Sequence, residues 1–378
     1  MTIRVAFVGC THPHIFPRIE LLKAEADVEL VGCYDPDSHL TSELERVYGL
    51  KAYADPETLL DEPGVNFALI EGWDTANPRY VRMATARNQA ILLEKPGASS
   101  LAAMREMLDE VRKHDIPFQV GYMLRHGAGV AHAKRILAEG VLGPVSLVRM
   151  HAATPCGGSR EIWQSVPDNM GGLCYTDACH AVHLLVYLLG TPDTVTGRML
   201  RMPAGEPIIA HGFKEDTLSG LGATVTMPIG GLKYEDAGAA ILNYPRFLAT
   251  LDMTAWEAHP WVEAWRIEVY GTDGTLHVGI QPSAYKLYVR NPNHGYAAGW
   301  HSWDSAAAST VGNSLVVDEN YSGEIHAMLD RIRRWDTDNT ASLYEAEAVI
   351  STLDAWYRSD AAHGRTADVG LREVARLP

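Results

Sequence analysis

In the first third of the chain, short apolar runs alternate with stretches of helical periodicity. Ile3–Val8, Val28–Tyr34, Val65–Ile70 and Ala90–Leu93 are apolar enough to be strands covered on both faces. Between them Glu20–Glu25, Leu40–Val47 and Tyr80–Arg87 carry helix-period apolar positions, and Leu101–His114 leads to a further strand at Pro117–Met123. Strand–helix alternation of this kind predicts a doubly wound parallel α/β sheet.

A second unit is predicted to begin near Met123, giving 1–122 and 123–378 as the two domains. His132–Glu139 reads as a helix, Gly140–Pro144 as a turn and Val145–Met150 as a strand. Residues 151–172 have few periodic apolar positions and read as a long loop of the type that covers active sites. A helix follows at Tyr175–Leu189, stopped by Gly190. Ala223–Met227, Ala239–Leu242, Leu248–Met253, Ala264–Tyr270 and Thr275–Val278 read as strands, the last two joined by the turn Gly271–Gly274. Helices at Gly323–Trp335 and Ser342–Ser359 close an α+β domain with a largely antiparallel sheet.

Composition narrows the partners. The 378 residues carry 32 Lys+Arg against 47 Asp+Glu, a formal charge of −15, which argues against nucleic acid or an anionic membrane. No apolar run approaches the roughly 20 residues of a membrane span, and no signal peptide is evident, so a soluble cytoplasmic protein is expected. The five cysteines form no CxxC pair and read as buried thiols. The 16 histidines are numerous and clustered, at 12–14, 126–132, 180–183 and 294–301.

Four motifs carry candidate chemistry. Gly9-Cys-Thr11-His12-Pro-His14 follows the first strand where a dinucleotide fold has G-x-G-x-x-G, so Thr11 and His14 replace two glycines. Asp35 ends the second strand, where an acidic side chain bonds the ribose hydroxyls of NAD and repels the 2′-phosphate of NADP. Glu94-Lys95-Pro96-Gly97 ends the fourth strand, where ligands gather, and burial there would lower the Lys95 pKa for proton relay. Finally, Gly171-Gly172 leads into a helix on which Thr176, His180, His183 and Tyr187 fall within roughly 60° of one another, with Asp177 adjacent. Each also admits a purely structural reading: an ordinary turn, an Asp opening a turn before Pro, a solvated Lys, an amphipathic helix with a satisfied histidine.

In this order the motifs resemble the glucose-fructose oxidoreductase / inositol dehydrogenase (Gfo/Idh/MocA) family along nearly the whole chain. The likeness extends to Gly121-Tyr-Met-Leu-Arg125, Gly140-Val-Leu-Gly143-Pro144-Val145 and Ile267-Glu-Val-Tyr-Gly-Thr-Asp-Gly274. The resemblance implies a Rossmann domain, an open-faced sheet domain, NAD(P), homodimers or homotetramers, and redox chemistry on a sugar, polyol or related hydroxyl. Three departures stand out. The glycine fingerprint is reduced to Gly9; Trp73 stands where the family usually has Pro; and the carboxylate four residues before His180 has become Thr176, leaving Asp177 beside it, while His183 replaces a common Asp.

The leading expectation is an NAD-dependent dehydrogenase in which Lys95 and His180 hold the reacting hydroxyl and His180, helped by Asp177, takes its proton. Gly9, Thr11, His12, His14, Asp35, Trp73, Glu94 and Lys95 are the expected cofactor contacts. Arg125, His151, Arg160, Trp163, His183 and His259 are the expected substrate contacts. One alternative is a metal-assisted sugar-modifying enzyme with Asp177, His180 and His183, joined by His151, on Zn²⁺ or Mn²⁺. Another is a cofactor-poor descendant that binds a ligand or regulates a partner.

Overall fold

The computed structural model describes residues 2–153, 170–212, 223–227, 229–256, 265–280, 283–304 and 319–372. The expected substrate contacts Arg160, Trp163 and His259 lie outside these residues, as does Cys156.

The first sheet contains β1 (Ile3–Val8), β2 (Val28–Tyr34), β3 (Phe67–Ile70), β4 (Ala90–Leu93) and β5 (Phe118–Val120), all parallel in the order β2-β1-β3-β4-β5. Alternate side chains serve opposite faces, as strand geometry requires. Ile3, Val5, Phe7, Phe67 and Leu69 enter one core with α1 (Ile15–Lys23); Ala6, Val8, Ala68 and Ile70 enter another with α4 (Asn77–Thr85) and α5 (Leu101–Val111). Between these lie α2 (Ser38–Tyr48) and α3 (Pro56–Leu60), N-capped by Asp37 and Asp55.

After a 3₁₀ turn (Met123–His126) and α6 (Ala128–Ala138), the chain builds a nine-stranded sheet. Its strands are β6 (Val145–Ala153), β7 (Thr194–Leu200), β10 (Ala237–Asn243), β11 (Leu248–Thr254), β12 (Arg266–Gly271), β13 (Gly274–Gly279), β14 (Ala284–Val289), β15 (Gly299–Asp304) and β16 (Ala367–Asp368). The order is β15-β14-β13-β12-β6-β11-β10-β7-β16, antiparallel except for the β6–β11 pair. A separate hairpin joins β8 (Ile208–Gly212) to β9 (Ala223–Met227). One face of the large sheet is buried under α8 (Ala178–Leu189) and α10 (Thr340–Ala361), while the other stays open. Along β6, Val148 and Met150 face the covered side and Arg149 the open one.

Two features depart from the sequence pattern. The helix expected over Tyr175–Leu189 is broken into α7 (Leu173–Thr176) and α8, with Asp177 between them at φ −113°. In addition α9 (Glu319–Arg334), from the C-terminal part of the chain, packs Ile325, Met328, Leu329 and Ile332 into the core beside α1. Among the described residues no helix is long and apolar enough to cross a membrane. Cys10, Cys33, Cys174 and Cys179 are free, buried thiols.

Glycine makes the close packing of α10 on the large sheet feasible. A Cβ on Gly197 would lie 2.5 Å from Nε1 of the fully buried Trp356 and 2.9 Å from the Ala239 carbonyl. Gly197→Val should therefore cost about 1–3 kcal/mol by overpacking. Urea denaturation checks this, and an unchanged midpoint would contradict the packing described.

Candidate active site

The site forms at the carboxyl ends of the parallel strands, where the turns after β1, β3 and β4 meet the start of α8. Gly9 at φ +74° lets the first turn pass against the third strand's turn: a Cβ there would sit 2.5 Å from Gly72 Cα. Asp35 closes the first turn. Its Oδ2 accepts from Cys10 N (2.6 Å) and Thr11 Oγ1 (3.1 Å), its Oδ1 from Asp37 N (2.8 Å). Burial pushes the Asp35 carboxyl up, and these hydrogen bonds oppose that.

His12 and His14, standing where the fingerprint has small residues, turn onto Glu94. His12 Nε2 lies 3.5 Å and His14 Nδ1 3.1 Å from Glu94 Oε1. The His14 amide donates to His12 Nδ1 (3.2 Å), and the His12 amide donates to the Glu71 carbonyl (3.0 Å). Two of the amides that greet a phosphate in a glycine-rich turn are therefore engaged, and Pro13 has none. Burial lowers both imidazoles well below the ordinary histidine value, so both are neutral at pH 7.

Beneath them lies Arg18, fully buried. It donates through Nη1 to Glu71 Oε1 (2.6 Å) and Glu94 Oε2 (2.5 Å), and to Glu324 through Nε (2.8 Å) and Nη2 (3.1 Å). Burial opposes the guanidinium charge, and the three carboxylates override it. Glu71 is pushed up by burial. Burial pushes the Glu94 carboxyl up, and the charges of Arg18 and Lys95 with the Arg18 hydrogen bond hold it below the ordinary value.

Lys95 is 5% exposed and donates to the Thr176 carbonyl (2.8 Å), one helical turn before His180. The expected lowering of its pKa is not what the structure gives. Burial does act in that direction, but Cys179, Asp177, Glu94 and Asp74 surround the amine and hold its pKa above the usual lysine value. Lys95 is a fixed cation. His180 is buried, its Nδ1 has no hydrogen-bond partner, and burial with the nearby Lys95 keeps it neutral. Asp177 therefore does not bond that nitrogen; its Oδ2 accepts from Thr176 Oγ1 (3.2 Å).

Other expected residues lie apart. His183 stacks on Tyr122 (4.3 Å, 10°), and its Nε2 faces Glu345 Oε2 at 3.1 Å, which also accepts from Arg125 (2.5 Å). Among the described residues, His12, His14 and Glu94 form the only trio of metal-binding side chains whose ligand atoms lie within 4.8 Å of one another. Asp177, His180 and His183 do not form such a trio. His151 pairs with Asp252 (2.5 Å) on β6 in the same alternation as Arg149, the open side of the sheet, away from α8. Trp73 is half-buried and accepts from the Ala76 and Asn77 amides where α4 begins.

Sequence reasoning missed Arg18, Glu71, Asp74, Glu324, Glu345 and Glu235. The last explains the double glycine. Glu235 Oε1 accepts from Gly172 N (2.7 Å), Cys174 N (3.1 Å) and Tyr357 OH (2.5 Å), and a Cβ on Gly171 would collide with Tyr357. Asp74, next to Trp73, carried a legible signal as an acid at a strand's carboxyl end.

Comparison with known proteins agrees with this architecture. The family model described as "Oxidoreductase family, NAD-binding Rossmann fold" matches residues 3–122, and "GFO/IDH/MocA C-terminal domain" matches 130–277. The chain belongs to the GFO/IDH/MocA family of oxidoreductases. It is 24% identical over 285 residues to scyllo-inositol 2-dehydrogenase (NAD(+)) of Bacillus subtilis, covering 73% of this chain and 74% of that protein. It is 26% identical over 174 residues to an uncharacterized oxidoreductase of Streptococcus pneumoniae, covering 44% of this chain and 46% of that protein, about half its length. Levoglucosan dehydrogenase, solved with NADH and levoglucosan, superposes with a TM-score of 0.75 at 16% identity over 98% of this chain and 100% of that one.

Two predictions follow from the charges. Replacing Arg18 by Met leaves three buried carboxylates without their cation and should cost about 3–5 kcal/mol, measured by chemical denaturation at pH 7; a loss below 1 kcal/mol would contradict the role given to it. Burial raises the Asp74 carboxyl to about 8, with Lys95 opposing. The folded state then binds a proton that the unfolded chain releases near its ordinary value, so this contribution is complete in acid and disappears as pH rises through 8. Stability curves of wild type and Asp74→Asn from pH 5 to 9 should diverge, the wild type losing more on the alkaline side; parallel curves would refute the assignment.

Proposed function

We propose that the protein is an NAD-dependent dehydrogenase of a sugar, cyclitol or related polyol. The observation that carries this reading is the meeting of a fixed ammonium and a neutral imidazole at one point: Lys95 is bonded to the same helix end that presents His180. Names of relatives support the substrate class, since a scyllo-inositol dehydrogenase and a levoglucosan dehydrogenase share the fold.

The residues present fit the adenosine end of a dinucleotide, because the buried Asp35 carboxylate and the Thr11 hydroxyl stand together where β2 ends. A carboxylate there favours NAD over NADP through repulsion of a 2′-phosphate. The nicotinamide, when bound, supplies a hydride acceptor. Lys95 donates to the substrate hydroxyl and stabilises negative charge as it develops on that oxygen. His180, unprotonated at pH 7, takes the hydroxyl proton. Asp177 contributes to the negative surroundings that keep Lys95 charged. Arg125 and His183, joined through Glu345, stiffen the wall that carries Tyr122.

We further infer a division into two domains at about Met123 and assembly into a homodimer or homotetramer through the open face of the large sheet. Ile241, Leu248, Tyr288 and Trp300 are all at least 36% exposed on its strands, which supports that reading.

Lys95→Ala and His180→Ala should each lower turnover by about 100- to 10,000-fold, with NAD affinity largely kept. The assay is NADH formation over a panel of sugars and inositols, with dinucleotide binding measured separately. Near-normal turnover in both variants would overturn the assignment.

A further inference from the structure

Glu235 ties the segment that carries the reacting groups to the large sheet. Three consecutive amides end on this one residue. Gly172 N (2.7 Å) and Cys174 N (3.1 Å) donate to its Oε1, and Leu173 N (3.3 Å) donates to its carbonyl. Amides at the start of a helix have no partner inside it and must find one elsewhere. At four residues, α7 is also too short to sustain itself. The shape of this turn is therefore set by Glu235.

Glu235 is itself held from two sides. Tyr357 on α10 donates to Oε1 (2.5 Å). The next residue, Asp236, is fully buried and locked to the sheet: its amide donates to the Leu200 carbonyl (3.0 Å), its Oδ1 accepts from Met202 N (2.9 Å) and its carbonyl from Ala255 N (2.8 Å). Glycines allow the close approach. A Cβ on Gly238 would stand 2.7 Å from Cys174 Sγ, and one on Gly172 would stand 2.8 Å from the Glu235 carbonyl oxygen.

The far end of α7 reaches the reacting groups. Thr176 N and Oγ1 both donate to the Gly172 carbonyl (2.9 and 3.1 Å), and the Thr176 carbonyl receives Lys95 Nζ (2.8 Å). The Asp177 amide donates to the Leu173 carbonyl (3.1 Å), and the His180 amide to the Asp177 carbonyl (3.1 Å). We infer that Glu235 is a positioning residue: by fixing residues 172–174 it sets where Thr176 holds the Lys95 ammonium and where α8 begins, and with it His180. The effect on turnover rests on the roles proposed for Lys95 and His180, whereas the anchoring of Lys95 does not. Misplacing a reacting group by about 1 Å can cost about 100-fold in rate. The donors to Oε1 need an acceptor at that point rather than a charge, so a glutamine oxygen can stand in.

The test compares the full-length wild type with Glu235→Ala and Glu235→Gln. Hydrogen–deuterium exchange across residues 170–180 and acylation of Lys95 by an N-hydroxysuccinimide ester are both read by mass spectrometry. The alanine variant should exchange faster over 172–177 and lose the shielding of Lys95, while the glutamine variant stays near wild type. In the NADH assay kcat of Glu235→Ala should fall about 100-fold with NAD affinity kept, and Glu235→Gln should recover most of it. Circular dichroism checks each fold. If Glu235→Ala fails to fold, Glu235→Asp, which withdraws the carboxylate by one methylene, takes its place with the same outcomes expected. Wild-type exchange and acylation, or wild-type kcat, in the folded variant overturns the inference. If the wild type itself forms no NADH, the dehydrogenase reading fails, and exchange and acylation alone decide whether Glu235 positions Lys95.

Discussion

One buried guanidinium organises this molecule. Arg18 on α1 reaches the ends of β3 and β4 through Glu71 and Glu94, and the C-terminal part of the chain through Glu324 on α9. Ion pairs this deep are expensive to desolvate and add little net stability, but removing one partner is severe. Their effect is therefore positional. Glu94 is fixed by Arg18, and Lys95 follows Glu94 directly, so the Lys95 amine is positioned beside a buried charge network. Of these carboxylates Glu94, together with Asp177 and Asp74, contributes to the negative surroundings that keep Lys95 protonated despite its burial.

Apolar patterning made the parallel sheet legible. Strands β1, β2 and β4 begin and end where the runs Ile3–Val8, Val28–Tyr34 and Ala90–Leu93 do: β4 is apolar and buried throughout, and β1 and β2 each carry one charged residue, Arg4 and Glu29, within an otherwise apolar run. The hairpin of β12 and β13 was equally visible through its Gly271–Gly274 turn. The edge strand β15 was not: it alternates half-buried and exposed positions, with no fully buried side chain to mark it. The break at Asp177 was hidden too, since apolar periodicity continues through it.

Within the site, local motifs showed which segments matter and distant partners decided what they do. Lys95 and His180 could be read from their segments alone. Glu324 is 306 positions from Arg18 and Glu345 is 162 from His183, separations over which a single sequence carries no pairing signal. Those partners changed the roles. His183 joins a wall with Arg125, and His12 and His14 turn onto Glu94. The acidic groups around Lys95 hold its pKa above the usual lysine value, opposite to the lowering expected from burial alone.

The resulting picture joins an acidic clamp at Asp35, a charged Lys95 and a neutral His180 at the carboxyl end of the parallel sheet, where we propose that the dinucleotide binds. Its central claim, that this chain uses NAD despite the altered first turn, is tested most directly by calorimetric titration of the wild-type protein with NAD⁺ and with NADP⁺. The account predicts one NAD⁺ per chain with a dissociation constant roughly in the micromolar range and weaker binding of NADP⁺. No measurable NAD⁺ binding, or tighter binding of NADP⁺, would contradict it.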